Sequence, residues 1–142
     1  MKKAFITGIG GQDGSYLSEY LLKKNYKIYG IIRRNSITEH QKNRLESLDN
    51  SKNVELAYGD VEDRSSLDNL LKKIKPDEIY NLAAQSHVKV SFDVPEYTIK
   101  TNALGVFNIL EAFKANSPKS KFYQASSSEM FGRSVDKDGY QR

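Results

Sequence analysis

The chain has 142 residues, 22 Lys and Arg against 18 Asp and Glu, and no cysteine. That length holds one domain with its own core and no second one. The missing cysteines exclude a disulfide framework, a zinc ribbon and a thiol nucleophile, and they fit a reducing, cytoplasmic setting.

In chain order, residues 4–7 read as a first strand and residues 8–14 as a glycine-rich turn. Tyr16, Leu17, Tyr20 and Leu21 give residues 15–24 a helical spacing, with Asn25 suited to a left-handed helix end. Residues 27–32 form a second strand, and residues 37–48 a weaker helix with Leu45 and Leu48 as its few apolar contacts. A third strand covers 54–58. The next helix has the clearest pattern: Leu67, Leu70, Leu71 and Ile74 fall at i, i+3, i+4 and i+7, with Asp63 as N-cap and Pro76 beyond the end. Residues 78–83 are a fourth strand, Val106 to Phe113 repeat the helical spacing, and 121–125 are a fifth strand. From Gly132 onward the sequence is polar and without period.

Strands alternating with helices predict an α/β fold: a doubly wound parallel sheet of the Rossmann type. Residues 1–132 are expected to form one dinucleotide-binding domain, and 133–142 a loop. No apolar run approaches the ~20 residues of a membrane span, so no membrane partner is expected. The net charge of +4 is concentrated between Lys23 and Arg44, where seven basic residues face one acid, Glu39. A nucleic-acid binder spreads its basic residues along a face, so this patch points to a small local anion and not to nucleic acid. No metal is expected.

Gly8, Gly11 and Gly14 fall as G-x-x-G-x-x-G between the first strand and the first helix. Such glycines turn the chain tightly, let the backbone approach a pyrophosphate and bring the helix onto the sheet. The helix start then presents free N–H groups to the anion. At the end of the second strand, NAD-binding folds place an acid for the ribose 2′-hydroxyl. Here Arg33-Arg34-Asn35-Ser36 stands instead, and guanidiniums fork onto phosphate oxygens. The expected cofactor is NADP.

These residues resemble the extended short-chain dehydrogenase/reductases. Gln12-Asp13-Gly14-Ser15-Tyr16-Leu17, the double arginine, Tyr58-Gly59-Asp60, Gln85-Ser86-His87-Val88 and Pro95-Glu96-Tyr97-Thr98 narrow the resemblance to the GDP-mannose 4,6-dehydratase family. The resemblance covers the chain to about Gly132. It implies that Gly8, Ile9, Gly10, Gly11, Gln12 and Asp13 carry the pyrophosphate, and Arg33, Arg34, Asn35 and Ser36 the 2′-phosphate. Asp60 and Val61 would flank the adenine. Leu82, Ala83, Ala84, Gln85 and Ser86 would pass near the nicotinamide half, with Tyr97 close by.

It further implies that Ser127 and Glu129 are catalytic, the hydroxyl bonding the sugar O4 and the carboxylate taking the C5 proton. The substrate implied is GDP-mannose, converted to GDP-4-keto-6-deoxymannose and water, by a homo-oligomer. The family's Tyr-x-x-x-Lys pair follows the Ser/Thr-x-Glu segment. Here the one such string, Tyr20 to Lys24, lies on the first helix and reads as a decoy, so the chain is expected to be C-terminally truncated and inactive alone. Two alternatives stay open: a non-catalytic NADP-binding or oligomerisation module, and a dehydratase or epimerase for another nucleotide sugar.

Overall fold

Strands this short and apolar gain most when both of their faces are covered, and the alternation of side chains along β1 shows how. The structure, a computed structural model, describes residues 1–33, 44, 46, 48 and 51–140. β1 (Lys3–Thr7) sends Phe5 to one face, where Ile31, Ile79, Leu67, Leu71, Ile109 and Ala112 pack around it. Ala4 and Ile6 point to the other face and join Ile9, Leu21, Ile28 and Leu48. Each fully buried aliphatic chain contributes about 2 kcal/mol, so the two clusters together stabilise the sheet from both sides.

The sheet contains β2 (Lys27–Ile32), β3 (Val54–Tyr58), β4 (Glu78–Asn81) and β5 (Lys121–Gln124), all parallel, in the order β3-β2-β1-β4-β5. This is the doubly wound, Rossmann-like α/β architecture that the alternating pattern predicts. α1 (Gln12–Lys23) follows β1 and supplies Leu21 to the second cluster. α2 (Arg64–Ile74) supplies Leu67 and Leu71 to the first. Its N-cap is Asp63, as the sequence predicts, accepting from the backbone N–H groups of Ser65 and Ser66. The Ser65 hydroxyl and the Ser66 N–H hold the Asp63 carboxyl below the usual carboxylate range. Asn25 takes a left-handed φ of 60° directly after α1.

The predicted helix over 37–48 falls mostly outside the described residues; Arg44, Glu46 and Leu48 are helical, and Leu48 is buried. β4 stops at Asn81 and not at Ala83, because the N–H groups of Leu82 and Ala83 turn to the Thr7 hydroxyl instead of a strand neighbour. The larger departure lies between Val88 and Leu104. There the chain forms α3 (Val88–Asp93), α4 (Pro95–Ile99) and a π-helical turn (Lys100–Leu104) that runs into α5 (Gly105–Asn116). Neither α3 nor α4 buries a residue, so no apolar stripe marks them in the sequence. After β5 a single 3-10 turn covers Ser128–Phe131. Among the described residues no helix is long and apolar enough to cross a membrane.

Candidate functional site

A parallel sheet gathers its strand ends on one edge, and the loops leaving β1, β2, β3, β4 and β5 here enclose a cleft of about 500 Å³. Its floor is the glycine turn. Gly8 has a φ of +69°, and a Cβ there would lie 2.8 Å from the Leu82 carbonyl carbon. A Cβ on Gly14 would meet the Gly8 carbonyl oxygen and lie 2.7 Å from Ile9 Cα. Backbone packed on backbone leaves no space for side chains, so these two positions admit only glycine without a shift of the loop. Gly11 precedes α1 with no side-chain cap, and the N–H groups of the first turn have no intrahelical acceptor. That turn of the helix is open to an anion.

Thr7 fastens this floor to the exit of β4. Its hydroxyl donates to Asn81 Oδ1 at 2.5 Å and accepts from the N–H groups of Leu82 and Ala83 at 3.2 and 3.1 Å. Asn81 Nδ2 donates in turn to Gln124 Oε1 on β5 at 2.8 Å. A chain of bonds, buried at Thr7 and Asn81, thus crosses three strands at the end of the sheet that carries the cleft. Thr7 and Asn81 escape a reading of the sequence because a buried Thr at a strand end looks like any β-branched strand residue.

The wall after β3 is held from the side. Asp60 Oδ1 accepts from the Glu62 N–H, closing a tight loop. Asn108, buried in α5, donates to the carbonyls of Val61 and Glu62 at 3.0 and 3.3 Å. Thr101 in the π-helical turn donates to Glu62 Oε1 at 2.6 Å. Gly105 lies so close that a Cβ would stand 2.7 Å from Val61 Cγ2. Asp60 and Val61 therefore face the cleft from a loop clamped by three residues of one helical segment. A polar Asn in the middle of an apolar helical pattern was the available signal.

Of the predicted binding residues, Gly8, Gly10, Gly11, Gln12, Asp13, Arg33, Asp60, Val61, Leu82, Ala83, Ala84 and Ser86 line the cleft together. The structure adds Gly14, Ile31, Ile32, Gly59, Thr101, Ala125 and Ser126 to that wall. Ile9 does not line it: its side chain is fully buried against Gly30 in the second cluster, which leaves its backbone alone near the cleft. Arg34, Asn35 and Ser36 lie outside the described residues.

Gln85 uses its polar groups within the fold. Its Nε2 donates to Thr98 Oγ1, its Oε1 accepts from the His87 N–H, and its backbone exchanges two 2.8 Å bonds with the Asn102 amide. The loop after β4 is thereby strapped to α4 and the turn behind it. Tyr97, expected beside the nicotinamide half, meets Arg33 at the end of β2: Arg33 Nη1 donates to the Tyr97 hydroxyl at 2.6 Å.

Ser127 and Glu129 sit just past Ala125 and Ser126 in the exposed turn after β5, outside the cleft lining. The Glu129 N–H donates to Ser127 Oγ at 3.1 Å, so the two residues are held next to each other. Ser126 takes a φ of +60°, which turns the chain sharply at the cleft rim. Tyr20 and Lys24 do meet, with the ammonium 5.5 Å from the ring centroid, but at the far end of α1. They belong to a second hollow with Lys2, Tyr26 and Tyr80, away from the cleft residues. There burial, then Glu78, push the Tyr80 phenol up out of its usual range; the group is an anchor of the sheet's lower edge.

Similarity to known proteins matches this arrangement. The chain is 50% identical to a GDP-mannose 4,6-dehydratase of Yersinia enterocolitica over 93% of its own length and 37% of that protein. It is 50% identical to a GDP-mannose 4,6 dehydratase of Drosophila melanogaster over 95% of its length and 36% of that protein. It thus spans little more than a third of these relatives. Among solved structures it superposes on the Bordetella bronchiseptica enzyme WbmH in complex with NAD+ with a TM-score of 0.78 at 26% identity, covering 97% of this chain and 43% of that one. The family model described as GDP-mannose 4,6 dehydratase matches residues 5–140, and with the glycine cradle and the strand-end cleft in place, the chain belongs to that family.

Proposed function

We propose that the chain is the NADP-binding portion of a GDP-mannose 4,6-dehydratase, working in the cytoplasm as a homo-oligomer. The observation that carries this is the cleft itself, where the glycine cradle, Arg33, the Asp60 loop and the exit of β4 converge. The cradle fits a pyrophosphate, since its close backbone approaches leave N–H groups and no side chains on the floor. WbmH, a structural relative at 26% identity, carries NAD+, which supports a nicotinamide dinucleotide as the class of ligand.

Backbone groups from Gly8 to Asp13 would hold the pyrophosphate, and Asp60 and Val61 would flank the adenine. Leu82, Ala83, Ala84 and Ser86 would face the nicotinamide half, while Gln85 keeps their loop in place. Arg33 supplies a guanidinium at the end of β2, with Arg34, Asn35 and Ser36 next in sequence and no acid among the four; that set favours a 2′-phosphate over a hydroxyl. A bound nicotinamide supplies reversible hydride exchange with a sugar carbon. On this reading Glu129 would take the sugar C5 proton, and the Ser127 hydroxyl would bond the sugar O4. The hydride step falls to a Tyr-x-x-x-Lys pair of the family, and no turnover of GDP-mannose by these 142 residues alone is expected.

Titration calorimetry with NADP+ and NAD+ tests the reading. The chain should bind NADP+ about ten- to a hundredfold more tightly, the range expected when charged hydrogen bonds to a phosphate are made. Replacing Arg33 and Arg34 together by Ala should erase that preference, and the unaltered chain should form no ketosugar from GDP-mannose. Selectivity unchanged in the double variant, or product from the chain alone, overturns the corresponding part of the proposal.

A further inference from the structure

The contact between Arg33 and Tyr97 joins residues 64 positions apart; Arg33 lines the cleft, and Tyr97 meets it from outside the lining. Both side chains are half-buried. Arg33 Nη1 donates to the phenol oxygen at 2.6 Å, and the guanidinium carbon lies 5.7 Å from the ring centroid. A free arginine side chain has a large rotamer entropy, which binding of an anion must overcome. An anchor that fixes the guanidinium beforehand removes most of that cost.

The chemistry of the anchor matters as well. A carboxylate would fix the guanidinium equally well, but it would neutralise the charge and occupy the fork that a phosphate needs. Among the described residues the ion pairs leave Arg33 out. A phenol is a neutral acceptor: it takes one of the five N–H donors and leaves the charge and the remaining donors for a ligand. Tyr97 is itself held, because the neighbouring Thr98 accepts from Gln85 Nε2 and Asn102 exchanges bonds with the Gln85 backbone. The β2 end is therefore tied to the β4 exit through Tyr97 and its neighbours.

We infer that Tyr97 is a positioning residue for Arg33, setting the cofactor preference through that guanidinium and without touching the nicotinamide half. The inference rests on the reading that Arg33 receives a 2′-phosphate. Its test is a set of variants, Tyr97→Phe, Arg33→Ala and the two combined, titrated with NADP+ and with NAD+. Tyr97→Phe keeps the ring and removes only the acceptor. It should weaken NADP+ about five- to tenfold, leave NAD+ within about twofold, and add nothing on top of Arg33→Ala. If Arg33→Ala erases the preference while Tyr97→Phe changes neither affinity, the positioning role is overturned and the phosphate reading stands. Equal weakening of both cofactors by Tyr97→Phe also overturns it, because Tyr97 would then act on their common part. Selectivity unchanged by Arg33→Ala removes the phosphate reading, and the inference with it.

A second measurement uses no cofactor. Rotation of the Arg33 guanidinium, followed by nitrogen NMR, should be slow in the parent chain and fast in Tyr97→Phe. Equal rates in the two proteins overturn the inference.

Discussion

On one side of the cleft Gly8 lies against the backbone of Leu82, and Thr7 bonds Leu82 across 75 positions of sequence. On the other side Ser127 and Glu129 share a bond across two positions, in an exposed turn beyond the end of β5. Both segments occupy the same edge of the sheet, yet only the first is set by the core. Distant parts of the chain must come together to make the glycine cradle, so the cradle is as ordered as the fold itself. The Ser127–Glu129 turn is held by its neighbours in sequence, and its geometry toward a substrate depends on what packs against it. A cofactor end built by long-range packing and a catalytic end built by local bonds will respond differently to mutation.

The largest effect should come from Gly8→Ala. The new methyl would lie 2.8 Å from the Leu82 carbonyl carbon in a backbone conformation with φ of +69°. Overpacking and a left-handed non-glycine residue together should cost about 3 kcal/mol, read as a lower urea midpoint. A midpoint like that of the parent would show that the two loops separate freely, and the contrast between the two sides would be lost. Thr7→Val should come next. It keeps the shape but leaves the Leu82 and Ala83 N–H groups and Asn81 Oδ1 without their shared partner. The expected loss is about 2 kcal/mol, with Thr7→Ser restoring most of it. Equal stability of the Val and Ser variants would mean that packing, not the hydroxyl, joins the strands. Ser127→Ala should be smallest, below about 0.5 kcal/mol, since it removes one exposed local bond. A cost of 2 kcal/mol would place that turn in the same cooperative unit as the cradle.

Much of the scaffold was legible because burial writes a period into the sequence. Leu67, Leu71 and Ile74 mark α2, and all three are buried. β1 and β2 read as near-continuous apolar runs because each crosses a sheet covered on both faces. Residues 88–104 were not legible as helices, since α3 and α4 bury nothing and so carry no stripe. In the site, the glycine spacing and the basic end of β2 could be read directly. The clamp of Asn108, Thr101 and Gly105 on the Asp60 loop could not: Asn108 stands out only as a polar residue in an apolar pattern, and each of the three acts on a loop some 40 positions away.

The sequence by itself determined the alternation of strands and helices, the turn that only glycine can make, and the concentration of positive charge around Arg33. These follow from local conformational preference and hydrophobic period, which a linear chain carries openly. Tertiary structure alone decided that Tyr97 meets Arg33, that Gln85 is a strap for its loop, and that Thr7 ties β1 to the exit of β4. Each is a hydrogen bond between partners whose separation in sequence is unrelated to their separation in space, and folding of the parallel sheet brings them within reach.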